Sequence, residues 1–199
     1  MPWDKRTGWY GKLPSLGDFA GRRLAPDLIE TWDGWLANGL AQWRDQDPEG
    51  WLQAYLDGPS WRFLLMPGVL AGVALPLAGV LLPSVDRVGR YFPLTLLRAV
   101  QGTPGTAAQL RWLHHLDDLA VDAMQDDWDI ERLEAELLRL DQALADDDTA
   151  PLLPVLQAGQ ACWWRIGHDG QRVQHCTAGL PIGPDFVALL SGQAGITNT

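Results

Sequence analysis

The chain has 199 residues, of which 47% are apolar, and its formal net charge is −10. This length allows one domain or two small ones, and the apolar content is sufficient for a substantial core. The negative charge argues against nucleic acid and anionic membranes as partners, and we expect no stable membrane insertion. Two cysteines are too few for a disulfide framework, and no apolar signal sequence follows the first residues, so we expect a cytoplasmic protein.

Hydrophobic periodicity and the positions of proline and glycine predict the secondary structure. Strands alternate with helices in the first half, two helices follow, and a hairpin with a short helix ends the pattern. In chain order we expect a strand over 8–13, helices over 25–43 and 48–56, strands over 61–66, 77–82 and 92–100, helices over 106–124 and 130–145, hairpin strands over 161–166 and 172–177, and a helix over 184–190.

This order of elements predicts an α/β fold in which helices cover a sheet. Because the C-terminal hairpin requires antiparallel pairing, we expect the central sheet to be mixed. No internal repeat or low-complexity linker divides the sequence, so we predict a single domain over 1–199. It contains an acidic helical segment over about 106–148 and the C-terminal hairpin and short helix over about 160–192.

The acidity of the chain is concentrated in one segment. Between Asp117 and Asp148 there are 13 acidic residues and 2 arginines, a net charge of −11. The rest of the chain therefore carries about +1, the difference between −10 and −11. We expect this acidic helical face to be able to steer a basic partner.

The run 63–83 carries no charge and is long enough to span a bilayer. Pro67, Pro76 and Pro83 interrupt it, and each would remove helix hydrogen bonds that lipid cannot replace. We therefore favour buried strands joined by a turn, and a membrane-associated subunit remains a third hypothesis.

The loop of the C-terminal hairpin decides how the two cysteines are placed. A three-residue loop with Gly170 in the left-handed region would set Cys162 opposite Cys176. A two-residue turn of Asp169 and Gly170 would shift the register, and the cysteines would no longer face each other. Even for facing cysteines, we do not expect a disulfide in a reducing compartment.

The segment 83–95 is the densest group of polar residues between two apolar stretches. Arginine pairs with carboxylates and phosphates in a bidentate manner, so Ser84, Arg87 and Arg90 suit an anionic ligand or a protein partner. The alternative is structural, with Asp86 and an arginine tying the loop to the sheet. Physical reasoning alone favours the structural alternative.

Enzyme signatures are absent from the sequence, and we predict no catalytic residue, no metal and no cofactor. The only cluster of ligand types at useful spacing is His114 and His115 with two following aspartates, and a solvated helix face explains it more simply. A serine hydrolase using Ser84 and Asp86, or a metal-dependent enzyme using the histidine pair, is the alternative function.

Several segments resemble, in the same order, the blocks of the TagF family, accessory proteins of bacterial type VI secretion. The matching segments are GWYGKLPSLGDF at 8–19, WDGWL at 32–36, PSWRF at 59–63, PSVDRVGRYFP at 83–93, CWW at 162–164 and GLP at 179–181, followed by Phe186. Together they span about residues 8–192, nearly the whole chain.

The resemblance implies a cytoplasmic regulator and not an enzyme. It implies that the protein restrains type VI secretion after translation by binding the forkhead-associated scaffold protein of the apparatus. It also implies a three-layer α/β/α sandwich. No catalytic residue can be carried over from the family.

For the partner interface we predict two surfaces. One is a pair of loops that meet at an edge of the sheet, and the other is the acidic helical face. The residues predicted for the loop pair are Ser15, Asp18, Ser84, Asp86, Arg87 and Arg90.

Overall fold

The computed structural model describes residues 6–143, 156–167 and 169–193. These residues form seven strands and five helices. The strands are β1 (Gly8–Gly11), β2 (Ala20–Arg22), β3 (Trp61–Leu65), β4 (Leu77–Leu82), β5 (Leu94–Ala99), β6 (Gln160–Ile166) and β7 (Arg172–Ala178). The helices are α1 (Pro26–Gln46), α2 (Trp51–Leu56), α3 (Ala107–Gln125), α4 (Ile130–Ala143) and α5 (Pro184–Leu190).

The elements predicted from the sequence are confirmed, and β4 and α5 have the predicted bounds. The sequence missed β2, because its three residues are too few to show an alternating pattern. The predicted end of the helix over 130–145, and the acidic stretch that continues to 148, lie partly outside the described residues.

All the strands belong to one sheet with the order β2-β1-β5-β4-β3-β6-β7. Each of the six neighbouring pairs is antiparallel. The α/β class is confirmed, but the prediction of a mixed sheet is wrong. The helical connections do not create parallel neighbours, since α1 and α2 join β2 to β3, and α3 and α4 join β5 to β6. Neither of those strand pairs is adjacent in the sheet.

Two apolar clusters lie on opposite faces of the sheet. Along β4, Leu77 and Leu81 pack with residues of α1, α2 and α5, whereas Ala78, Val80 and Leu82 pack with residues of α3 and α4. Every residue of β4 is buried, which explains its uncharged sequence. The three-layer order itself stays a prediction, which these clusters support.

The uncharged run 63–83 contributes to the buried centre of the sheet and includes a partly exposed connection over 66–76. It supplies most of β3 and all of β4, at the centre of the strand order. Among the residues that the structure describes, none of the helices has the length and apolar character needed to cross a membrane.

Tryptophan is mainly a core residue here. Of the ten tryptophans in the described ranges, eight are buried, and Trp35 and Trp51 are half-buried. Trp32 donates its indole N–H to Thr95 Oγ1 at 2.8 Å, and Trp61 donates to the Leu189 carbonyl at 2.7 Å. These bonds let large rings be buried without leaving their polar atoms unpaired.

Two acidic side chains of α4 form contacts within the protein. Glu134 accepts the Trp9 indole N–H at 2.6 Å and forms an ion pair with Arg23. Asp141 accepts the backbone N–H of Thr7 at 2.7 Å and its hydroxyl at 2.6 Å. These contacts fasten α4 to the first strand of the sheet, so the acidic segment is not simply a solvated face.

Candidate functional site

The two loops predicted to meet do come together. They are residues 14–19, after β1, and residues 83–93, between β4 and β5, and we call them the loop pair. The Arg87 backbone N–H donates to the Leu16 carbonyl at 2.8 Å, and the Arg90 guanidinium donates to the Gly17 carbonyl. The loop pair therefore lies at the edge of the sheet formed by the ends of β1, β4 and β5.

Asp86 is the buried centre of the loop pair. Its Oδ2 lies 2.6 Å from Lys12 Nζ and 2.8 Å from Arg90 Nε. Its Oδ1 accepts the backbone N–H groups of Val88 at 3.0 Å and Arg90 at 2.9 Å. Both carboxylate oxygens are thus occupied, and the loop is folded around them.

The environment of Asp86 favours the ionised carboxylate. Burial alone would raise its pKa, but the hydrogen bonds from Lys12, from the backbone and side chain of Arg90 and from the backbone of Val88 lower its pKa well below the usual range. Asp86 is therefore a structural anion at neutral pH and cannot act as a general acid there.

Ser84 also has a structural role. Its hydroxyl donates to the Lys12 carbonyl at 2.7 Å. Its backbone N–H donates to the Tyr55 hydroxyl, which in turn donates to the Ser84 carbonyl, each at 2.9 Å. No base contacts the Ser84 hydroxyl among the described residues, so the arrangement lacks the partner that a serine nucleophile requires.

Arg87 and Val88 form the outward tip of the loop pair. Val88 is 62% exposed, and the Arg87 guanidinium is exposed with no hydrogen bond or ion pair to the described residues. Asp18, whose side chain is 83% exposed, lies 3.7 Å from Arg90 Nη2. The six predicted residues therefore divide into two sets. The inner set is engaged in the fold of the loops and consists of Ser15, Ser84, Asp86 and Arg90. The outer set consists of Asp18 and Arg87.

Ser15 belongs to the inner set, although it lies in the first loop. Its hydroxyl donates at 2.7 Å to the carbonyl of Trp128, which lies between α3 and α4. This bond ties the loop pair to the acidic helical segment.

Aromatic rings line the side of the loop pair that faces α1 and α2. Phe19 is 42% exposed, stacks on Tyr10 at 5.8 Å between centroids, and contacts Phe92 at 4.9 Å. The Lys12 ammonium lies 4.1 Å from the centre of the Phe19 ring. Burial and the nearby Asp33 carboxylate raise the pKa of the Tyr10 phenol. This side of the loop pair is therefore aromatic and partly open to solvent.

The sequence missed Lys12 and Tyr55 as parts of the site. Lys12 is almost wholly buried, and it is the only charged residue in the segment 7–17. A lone charge inside the strand predicted over 8–13 is a signal that could have found it. Tyr55 carried no such signal, because its position in the apolar face of α2 looks like ordinary core packing.

The histidine pair lies beside Arg62. Arg62 Nη2 lies 3.1 Å from His114 Nδ1, and Arg62 pairs with Asp117 at 2.9 Å. In the ranges that the structure describes, no group of three or more histidines, cysteines and acids is arranged to hold a metal ion. An adjacent groove of about 380 Å³ is lined by both acids and arginines, including Asp118, Asp122 and Arg165.

Comparison with known sequences shows the class of protein to which this antiparallel sheet and its loop pair belong. It is a protein associated with the type VI secretion system. Residues 8–140 match the family model for the TagF N-terminal domain, type VI secretion system-associated, and the chain belongs to that family.

A solved structure is similar over almost the whole chain. It is the crystal structure of PA0076 from Pseudomonas aeruginosa PAO1, which has 29% sequence identity and a TM-score of 0.76, with 97% of each chain covered. A search of curated proteins found no match.

Proposed function

We propose that this protein represses type VI secretion after translation by binding the cytoplasmic forkhead-associated scaffold protein of the apparatus. Membership of the TagF N-terminal domain family supports the association with secretion. The observation that carries a binding role is the exposed guanidinium of Arg87, which has no partner among the described residues, beside the exposed Val88. The proposal includes a single domain over 1–199 with three-layer α/β/α order.

The buried part of the loop pair makes a rigid support for this tip. Asp86 accepts four hydrogen bonds, two from side chains and two from the backbone of the same loop. A loop that is already ordered loses less conformational entropy when it binds, so more of the contact energy appears as affinity. The inner residues of the loop pair act through this support and not by contacting the partner.

The outer part of the loop pair has the composition of a protein interface. Arginine and aromatic residues are enriched at the centres of interfaces, and an exposed apolar residue supplies area to bury. The outer part of the loop pair contains all three kinds of group: the arginine is Arg87, the aromatic residue is Phe19 and the exposed apolar residue is Val88. The cationic tip fits an acidic, partly apolar patch on the partner.

The acidic helical face is the second proposed surface. Asp118 and Asp126 have exposed side chains, whereas Asp117, Glu134 and Asp141 are engaged with residues of the sheet and its loops. The exposed acids can accelerate encounter with a basic partner through long-range attraction. This contribution should weaken as salt concentration rises.

A pull-down between the purified protein and the scaffold protein tests the interface. We expect Arg87→Glu and Val88→Asp to weaken binding at least tenfold, a loss of about 1.4 kcal/mol. Arg172→Glu is the control, because Arg172 is also an exposed arginine but lies on β7, outside both proposed surfaces. Equal binding by wild type, Arg87→Glu and Val88→Asp would contradict the proposed interface.

Secretion itself tests the regulatory role. Deletion of the gene should raise effector secretion, and overexpression should lower it. Unchanged secretion in both strains would contradict the repressor function, whatever the pull-down shows.

The hydrolase alternative makes different predictions from the same protein. Ser84 and Asp86 are both buried and both engaged in the support of the loop. Metal analysis of purified protein tests the metal-dependent form of this alternative. Stoichiometric zinc or manganese would contradict the proposal that the protein acts only by binding.

A further inference from the structure

The two cysteines face each other across the C-terminal hairpin. Cys162 in β6 and Cys176 in β7 are register partners, and both are free thiols. Gly170 has a φ of 75°, and the N–H of Gly167 donates to the Gln171 carbonyl at 2.7 Å. This closing pair leaves three residues in the loop, so the register that sets the cysteines opposite each other is the one present.

The hydrogen-bond pattern of the hairpin fixes the type of pair that the cysteines form. Bonds join Gly167 to Gln171 at one end and Gly179 to Gly159 at the other. Hydrogen-bonded and non-hydrogen-bonded pairs alternate along antiparallel strands. Counting inward from either end places Cys162 and Cys176 in a non-hydrogen-bonded pair. Cα atoms in such pairs are about 4.5 Å apart with the side chains close together, within the range that a disulfide spans.

The surroundings give the two thiols different reactivity. Cys176 is exposed, and its Sγ accepts a hydrogen bond from Gln174 Nε2 at 3.2 Å. Cys162 is 1% exposed and faces Cys176 across the hairpin. Burial, followed by the contact with Cys176, raises the pKa of the Cys162 thiol, and the nearby Arg172 opposes this in part. Cys176 is therefore the accessible nucleophile and Cys162 the buried one.

We propose that Cys162 and Cys176 form a dithiol that low-molecular-weight disulfides oxidise to a cross-strand disulfide. In the first step the Cys176 thiolate attacks oxidised glutathione, forms a mixed disulfide and releases one glutathione thiolate. In the second step Cys162 loses its proton and attacks Cys176 Sγ, and the second glutathione thiolate leaves. The protein loses two electrons and two protons, and one oxidised glutathione becomes two reduced glutathiones.

The position of the hairpin gives the oxidation a structural consequence. β7 is the last strand in the sheet order and pairs only with β6 in the described part of the chain. A bond between the two strands would stop β7 from separating from the sheet. The oxidised protein should therefore melt at a higher temperature than the reduced protein.

Mass spectrometry of the full chain after incubation with oxidised glutathione tests the proposal. We expect wild type to lose about 2 Da and to yield a cross-linked peptide joining Cys162 to Cys176, reversed by dithiothreitol. Cys162→Ser should stop at the mixed disulfide, and Cys176→Ser should react far more slowly. The mixed disulfide of wild type should close about tenfold faster for each added unit of pH, because Cys162 must deprotonate.

Three results would overturn the proposal. They are two free thiols in wild type after prolonged incubation, a wild-type mixed disulfide that never closes, and a disulfide that joins two chains instead of two strands. All three are read on the wild-type protein, so they do not depend on whether a variant folds. The proposal is also independent of the secretion function, since it rests on the hairpin alone.

Discussion

Lys12 Nζ lies 2.6 Å from Asp86 Oδ2, and both side chains are almost completely removed from solvent. The two residues are 74 positions apart, and their contact joins the end of β1 to the loop between β4 and β5. A buried charge is tolerated only when it is paired and hydrogen-bonded. The observed structure of the loop pair therefore depends on this ion pair.

Removing the charge of Asp86 should destabilise the protein more than removing the charge of Arg90. Asp86→Asn leaves Lys12 buried without its counter-ion, whereas Arg90→Gln removes a residue whose side chain is 52% exposed. Urea denaturation at neutral pH measures both variants against wild type. Equal midpoints for Asp86→Asn and wild type would contradict a structural role for the ion pair.

The contribution of Asp86 to the unfolding free energy should depend on pH only at acidic pH. Because the pKa of folded Asp86 lies below that of an unfolded aspartate, about 3.9, its stabilisation is complete above that value. As the pH falls through the folded-state pKa, the carboxylate protonates and the stabilisation is lost. The difference in unfolding free energy between wild type and Asp86→Asn should be constant from about pH 5 to pH 7 and should shrink towards pH 2.

Tyr55→Phe should destabilise the protein by about 1–3 kcal/mol, because the Ser84 N–H then has no partner. The Ser84 carbonyl would still accept the Phe92 N–H at 3.1 Å, so only the Ser84 N–H would lose its partner. Tyr91→Phe is the matched control, since the Tyr91 hydroxyl has no hydrogen bond to the described residues, and its effect should stay within about 0.5 kcal/mol. A similar loss in both variants, measured by denaturation, would argue against this account.

Arg87→Glu should fold as wild type does. The Arg87 guanidinium has no partner in the part of the chain described here, so its loss should change stability by less than about 0.5 kcal/mol. Arg90→Glu should lower the melting temperature, because it removes a donor to Asp86 and adds a like charge. Thermal melts of the two variants separate the outer set of the loop pair from the inner one. An unfolded Arg87→Glu protein would mean that the tip is structural.

Gly79→Ala should destabilise the centre of the sheet by about 1–3 kcal/mol through overpacking. A Cβ at this position would lie 2.3 Å from the Leu96 carbonyl oxygen, and backbone cannot move aside cheaply. Gly34→Ala is the control, because a Cβ there meets nothing within 4 Å and Gly34 lies inside α1. That substitution should stabilise the protein by about 0.5–1 kcal/mol, so the two variants should shift the denaturation midpoint in opposite directions.

The sequence by itself determined the local structure and the family. The apolar run between Pro76 and Pro83 placed β4 at its observed bounds, and the helix expected over 184–190 is α5, since such local signals are read over a few neighbouring residues. The ordered segments from 8–19 onward identified the family that residues 8–140 confirm. The same segments drew attention to both loops of the loop pair.

Only the tertiary structure decided how distant segments pair. The all-antiparallel sheet depends on strand order, which local periodicity does not encode. The pairing of Lys12 with Asp86 depends on the same strand order. So does the difference in exposure between Asp86, which is buried, and Arg87, which is exposed one residue later. Adjacent residues share a sequence context but not an environment, because burial is set by what the rest of the chain places against each side chain.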